Sequence, residues 1–162
     1  MKKRMLSIFL VVLIFLNIGV IFYNSSKTSE QSTSDSQQIS RAILKTDITN
    51  SESVNTMHKF NVVLREVSHA IEFFSMGVLC AWLCLLHLIL KKKYLISSLL
   101  SFLFILLNAF ADEIHQIFVP GRSFQISDIY TDCIGGLAGI ATGFIIAFII
   151  VKIKSKMHKI SG

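Results

Sequence analysis

The chain has 162 residues, of which 52% are hydrophobic and 16% are charged, and its net charge is +6 at pH 7. The hydrophobic residues are concentrated in four long runs, and each run has the length of about 20 residues that an α-helix needs to cross a bilayer. This distribution excludes a soluble globular or catalytic domain, a disordered chain and a disulfide scaffold.

The four runs predict an all-α integral membrane protein, a bundle of four transmembrane helices. We expect residues 1–23 to form a cytoplasmic N-terminus and an uncleaved signal anchor, because residues 21–24 offer no small-x-small cleavage site. The segments expected after it are a polar extracytoplasmic linker at 24–64, transmembrane helices at 65–90, 94–113 and 128–151, an outer loop at 114–127 and a basic tail at 152–162.

The linker is the one stretch of low hydrophobicity. Residues 24–53 are rich in Ser, Thr, Gln and Asn, so we expect much of this stretch to be disordered. Apolar residues return at helical spacing in 54–66. That spacing predicts either a short helix on the outer membrane interface or the first turns of the second transmembrane helix.

The positive charges are distributed unevenly along the chain. Lysine and arginine cluster at 2–4, at 91–93 and at 152–159, and no acidic residue accompanies them there. The positive-inside rule therefore predicts that both termini and the 91–93 turn lie in the cytoplasm. Because these charges lie beside membrane ends, they do not indicate a nucleic-acid partner. We expect a multi-pass protein of the plasma membrane, with the lipid bilayer as its surroundings.

Polar residues recur along one face of three of the predicted helices. Ionisable side chains within a membrane are costly and usually face the bundle interior, which makes them functional candidates. All three stripes begin at the outer end of their helix, so we expect them to converge at one level of the outer leaflet, together with an arginine of the outer loop. The members are Arg65, His69 and Glu72, then Asn108, Asp112, His115 and Gln116, then Asp128 and Asp132, with Arg122 in the loop.

Two interpretations of this convergence are open. In the structural one, a buried salt-bridge network holds the bundle together, with Arg65 paired to Glu72 and Arg122 paired to Asp128 or Asp132. In the functional one, the same residues form a binding or catalytic site.

One chemistry that fits a functional site is metal binding. A histidine and a carboxylate three residues apart lie on one helical face, as in the metal sites of helix bundles. Two imidazoles with carboxylates suit zinc, manganese or iron. The predicted ligands of such a divalent metal are His69, Glu72, Asp112 and His115.

The other chemistry is metal-free. Arg65 and Arg122 are suited to holding a phosphate or carboxylate through bidentate hydrogen bonds. His69 or His115 beside a carboxylate is suited to act as a general base. The catalytic candidates, if a bond is broken, are therefore Asp112, His115, Glu72 and His69.

Glycine recurs every four residues in the fourth predicted helix. This small-xxx-small pattern lets two helix backbones approach closely. It predicts packing inside the bundle or, as the alternative, a dimer interface, so the protein is a monomer or a homodimer. The residues are Gly135, Gly139 and Gly143, with Gly136 beside them.

Three motifs in the chain resemble those of the VanZ-like family of bacterial membrane proteins. They read RxxxHxxEF from Arg65, DExHQxFxPGR from Asp112 and DxxxDxxGGxxG from Asp128. The similarity covers about residues 5–151, and the three motifs occupy the three-helix portion 65–151. Where the family often has a lysine inside the first motif, this chain has Glu66-Val67-Ser68. The second motif adds Glu113 to the ligand-binding candidates.

The resemblance implies a cell-envelope protein with a role in glycopeptide resistance, against teicoplanin more than vancomycin, in Gram-positive bacteria. It implies no particular reaction. We expect the outer polar site to bind or modify a lipid-linked cell-wall precursor, or to bind the lipoglycopeptide antibiotic. Asp112 and His115 are the expected ligand or acid–base pair, and Arg122 the expected anion holder. The alternatives are a metal-dependent membrane hydrolase or transferase, and a non-catalytic membrane assembly protein.

Overall fold

The computed structural model describes residues 2–44, 51–88 and 94–160. The lysine turn predicted at 91–93 lies outside the described residues. The described part of the chain forms helices and contains no strand. The helices are α1 (Lys2–Ser25), α2 (Ser29–Leu44), α3 (Ser51–Leu88), α4 (Tyr94–Gln116) and α5 (Ile126–Ile160).

Four of these helices are long and apolar enough to cross a membrane, which confirms the predicted all-α four-span architecture. Large apolar side chains point away from the bundle, as expected for lipid contact; Phe15, Leu95 and Phe148 are examples. The inward orientation of the two termini stays a prediction of the positive-inside rule. The candidate spans are Lys3–Ser25, Lys59–His87, Tyr94–Gln116 and Ile126–Ile150.

The linker differs from the expected disorder, because α2 forms within it. Thr28 and Gln31 form a capping box: the Gln31 backbone N–H donates to Thr28 Oγ1 at 3.3 Å, and the Thr28 N–H donates to Gln31 Oε1 at 3.1 Å. Lys27 forms an ion pair with Asp35 at 2.7 Å, and α2 packs against α3. The stretch 54–66 belongs to α3, so it forms the first turns of that helix and not a separate one.

Helix α3 is the centre of the bundle, and α5 packs along it in the same direction. Glycines make the close approach possible. A β-carbon at Gly135 would overlap the backbone of Ala70, and one at Gly139 would overlap the carbonyl of Phe74 and crowd Gly77. The two helices therefore touch backbone to backbone over this stretch.

The remaining glycines of the stripe also face inward. Gly136 lies against the side chain of Ile105 on α4, and Gly143 lies against Ala81 on α3. The Trp82 indole N–H donates to the Gly143 carbonyl at 3.2 Å. The glycine face of α5 is thus used for packing within the chain.

Helix α1 runs antiparallel to α3, and polar pairs join the two along their length. The side chains of Ser7 and His87 lie 3.0 Å apart near one end, and the Asn24 amide donates to Glu72 at 2.6 Å near the other. The polar stripe of α3 therefore lies at one end of the bundle. It meets the C-terminal ends of α1 and α4 and the N-terminal half of α5 there. Apolar residues fill the interior farther along: Phe73, Met76, Ile105 and Ala109 are completely buried.

Candidate functional site

Three helices each contribute one ionisable side chain to a cluster at this end of the bundle. His69 of α3, Asp112 of α4 and Asp132 of α5 each present one potential ligand atom, and these atoms lie within 4.8 Å of one another. We call these residues the His–Asp–Asp cluster. The glycine contact explains its position, since Gly135 rests on Ala70, one residue from His69 and three from Asp132.

The two aspartates of the cluster are completely buried, yet most of their oxygens have no partner. The Gln116 amide donates to Asp112 Oδ2 at 3.0 Å, while Asp112 Oδ1 and both oxygens of Asp132 accept no hydrogen bond. His69 Nδ1 lies 3.8 Å from Asp132 Oδ1, too far for a hydrogen bond. Within the described ranges no lysine or arginine forms an ion pair with either aspartate. The cluster therefore has unused capacity to bind a cation or a donor.

A pocket of about 190 Å³ lies beside the cluster, between α3 and the first turns of α5. His69 belongs to both the pocket lining and the cluster, so it links them. The rest of the lining is mostly polar and carries both signs of charge. It consists of Val62, Arg65, Glu66, Gln125, Ser127, Asp128 and Thr131.

The loop between α4 and α5 is held in place at both sides. The Gln125 backbone N–H donates to Glu113 Oε2 at 2.6 Å, which ties the loop to the end of α4. Gly121 has a φ of 75°, a conformation that favours glycine, and the Pro120 carbonyl accepts from the Ser29 N–H of α2 at 3.4 Å. Glu113, predicted as a ligand-binding residue, thus holds the loop that borders the pocket.

Arg122 is anchored to the turn that follows α1 and not to a carboxylate. Its Nε donates to the Lys27 carbonyl at 3.3 Å, and its Nη1 is buried without a partner. Burial lowers the pKa of the Arg122 guanidinium, and the charge of Arg65 adds to this effect, while the Asp128 carboxylate opposes it. The guanidinium therefore keeps an unpaired N–H donor in a partly buried position. A residue that holds an anion, the role predicted for Arg122, requires such a donor.

The ion pairs expected from the structural interpretation are not formed among the described residues. Arg65 and Glu72 are seven residues apart on α3, which is about 10 Å along a helix. Glu72 instead accepts from Asn24, and the Nε of Arg65 is buried without a partner. Arg122 likewise pairs with neither Asp128 nor Asp132, so the polar residues do not form the expected salt-bridge network.

Of the four predicted metal ligands, the structure brings together only His69 and Asp112. Glu72 accepts a hydrogen bond from Asn24, and the His115 ring packs against the Phe22 ring with centroids 5.3 Å apart. Both therefore face α1, and Asp132, predicted as a ligand-binding residue, completes the cluster in their place.

Several residues around the site were not predicted. Asn24 is a polar residue at the end of an apolar run, and this pattern could have indicated a buried polar contact. Gly77 is a lone glycine in the middle of an apolar helix, where it costs stability unless close packing requires it. Gln125 acts through its backbone, so its side chain gave no signal.

The fold and the site together define a multi-span membrane protein whose buried ionisable cluster adjoins a pocket at one end of the bundle. The family model described as VanZ/LLP1 matches residues 8–151 of the chain, which include all three motifs. The chain therefore belongs to the VanZ/LLP1 family, and the resemblance seen in its motifs is confirmed. No curated protein and no solved structure matched the chain.

Proposed function

We propose that this VanZ/LLP1-family protein acts in the cell envelope, where it binds the polar head of a lipid-linked cell-wall precursor or of a lipoglycopeptide. Binding at the outer leaflet raises tolerance to glycopeptides of the teicoplanin type. Both ligands join a polar head to an apolar tail, so they require a polar pocket that opens beside a lipid-facing surface.

The observation that carries this proposal is the border between the pocket and an exposed apolar face. The pocket is lined by charged groups such as Arg65 and Asp128. Next to it, the large side chains of Ile126, Tyr130 and Ile134 lie one turn apart on α5, and each is more than 60% exposed. A charged head in the pocket therefore leaves its acyl tail against the α5 surface, within the bilayer.

Arg65 is the residue whose loss tests this function most directly. Arg65 lines the pocket, and a guanidinium is suited to bidentate binding of a phosphate or carboxylate. We expect wild type to raise the inhibitory concentration of teicoplanin in a susceptible Gram-positive host, and Arg65→Gln to lose most of that gain. The measurement is a titration of teicoplanin and vancomycin at matched membrane levels of each variant.

Arg4→Gln is the matched control, because it makes the same substitution at an exposed site at the other end of the bundle. It leaves Lys2 and Lys3 to direct topology, so it should behave like wild type. Equal tolerance in all three strains would show that the pocket is not the working site. No gain with wild type would contradict the resistance role.

A further inference from the structure

We propose that the His–Asp–Asp cluster is a binding site for a divalent transition-metal ion, of which Zn²⁺ and Mn²⁺ are the best-suited examples. One imidazole and two carboxylates form a mixed nitrogen and oxygen ligand set, which these ions accept. This proposal goes beyond the envelope function, because it requires neither an antibiotic nor a lipid ligand.

The distances between the ligand atoms fit a shared ion. Bonds of about 2.0–2.2 Å from Zn²⁺ to nitrogen or oxygen place neighbouring ligand atoms roughly 3–4 Å apart. The His69 and Asp132 atoms are already 3.8 Å apart, and all three ligand atoms lie within 4.8 Å. Small side-chain rotations therefore close the group around an ion, and each ligand comes from a different helix.

The unpartnered oxygens of Asp132 are an independent indication of a cation-binding site. The residue is completely buried, and neither of its oxygens accepts a hydrogen bond within the described part of the chain. A buried carboxylate without a partner costs several kcal/mol, more so within a membrane. A divalent ion removes this cost for Asp112 and Asp132 together.

The surroundings of the cluster resemble the outer shell of a metal site. Gln116 holds Oδ2 of Asp112 through its amide and leaves Oδ1 free, which is how hydrogen-bonding neighbours orient metal ligands. His69 is exposed to the pocket, so an ion bound here keeps a coordination position open to a water or an anionic head group. An open position distinguishes functional from structural metal sites, and the alternative of a metal-dependent hydrolase or transferase requires one.

The test uses the full chain, purified in detergent and freed of metal with a chelator. Zn²⁺ and Mn²⁺ are titrated separately by calorimetry, and metal content is measured by mass spectrometry after desalting. We expect a single ion per chain and a higher midpoint of thermal unfolding when it is bound. Loss of an outer-shell partner weakens metal binding by about 10–100-fold, so removal of a direct ligand in Asp132→Asn should weaken it by at least ~100-fold.

Asp35→Asn is the matched control. It makes the same substitution as Asp132→Asn at an exposed carboxylate of α2, which belongs neither to the cluster nor to the pocket beside it. It should retain the ion. In the presence of chelator, the Asp132→Asn variant should be at least as stable as wild type, because the substitution removes an uncompensated charge. If this variant nevertheless fails to fold, His69→Ala takes its place in the test, because it removes a ligand at a partly exposed position.

Two results would overturn the proposal: wild type that binds neither ion, or ligand variants that bind as tightly as Asp35→Asn. Because binding is measured on purified protein without antibiotic, its failure is distinct from failure of the resistance function. Metal binding without a drug phenotype would leave the site intact and reject only that function.

Discussion

At the residue scale, the arrangement of the cluster depends on how Asp112 is held. Gln116 is completely buried one turn after Asp112 on α4, and its amide is the donor to the carboxylate. A hydrogen bond to a charged group contributes about 1.5–3 kcal/mol, and a buried acceptor left without a donor adds a desolvation cost. The side chain of Gln116 is therefore expected to stabilise the protein and not only to fill space.

The corresponding prediction concerns Gln116→Met, which keeps the approximate volume and removes the donor. We expect the free energy of unfolding to fall by about 1–3 kcal/mol, measured by denaturant unfolding in detergent micelles. Gln37→Met is the control, because Gln37 is exposed on α2 and its replacement should change stability by no more than about 0.5 kcal/mol. An equal effect of both changes would mean that the bond to Asp112 adds no stability.

The polar stripes could be predicted from the sequence because helical spacing decides which residues share a face. The rotation of each helix about its axis could not, because it depends on contacts between helices. Asp132 joined the cluster where Glu72 and His115 did not, since the backbone contact at Gly135 turns Asp132 toward His69. Glu72 and His115 lie on the side of their helices that faces α1.

At the scale of the helices, the α3–α5 contact is the most sensitive part of the bundle. A β-carbon at Gly139 would meet the carbonyl of Phe74, and backbone cannot rotate away as a side chain can. We expect Gly139→Ala to lower the free energy of unfolding by about 1–3 kcal/mol, as overpacking does. Because the same contact positions Asp132, the substitution should also lower the affinity of the cluster for any ligand that it binds.

Gly19→Ala is the control for this helix contact. A β-carbon at Gly19 meets nothing within 4 Å, so the substitution should be neutral or stabilising by roughly 0.5–1 kcal/mol through helix propensity. The two variants are compared by unfolding in the same detergent. Equal stability of the Gly139→Ala and Gly19→Ala variants would show that α3 and α5 accommodate the added β-carbon without loss of stability, and that the glycine contact is not required.

The length and apolarity of the four spans made them predictable, because both follow from the thickness of the bilayer. Helix α2 was missed, because its residues 29–44 are polar and composition alone indicates disorder there. Its start is nevertheless encoded locally, in the Thr28 and Gln31 capping box. The packing of α2 on α3 that supports it is a tertiary contact, which the linker sequence does not reveal.

At the scale of the whole molecule, the function proposed here depends on which end of the bundle faces outward. The pocket and the cluster lie at the end opposite both termini, and the basic clusters at 2–4 and 152–159, which have no acidic neighbours, belong to the terminal segments. The positive-inside rule therefore predicts that the pocket faces the outside of the cell, where wall precursors and antibiotics meet the membrane.

Labelling of introduced cysteines tests this orientation. In a chain whose three native cysteines are replaced, Ser123→Cys places a thiol in the exposed loop between α4 and α5, and Lys152→Cys places one at an exposed position of α5 near the C-terminus. We expect a membrane-impermeant maleimide to label Ser123→Cys in intact cells, and Lys152→Cys only after the membrane is opened. The reverse labelling pattern would show that the pocket faces the cytoplasm, where a lipoglycopeptide does not reach it. The ligand would then have to be a lipid of the inner leaflet.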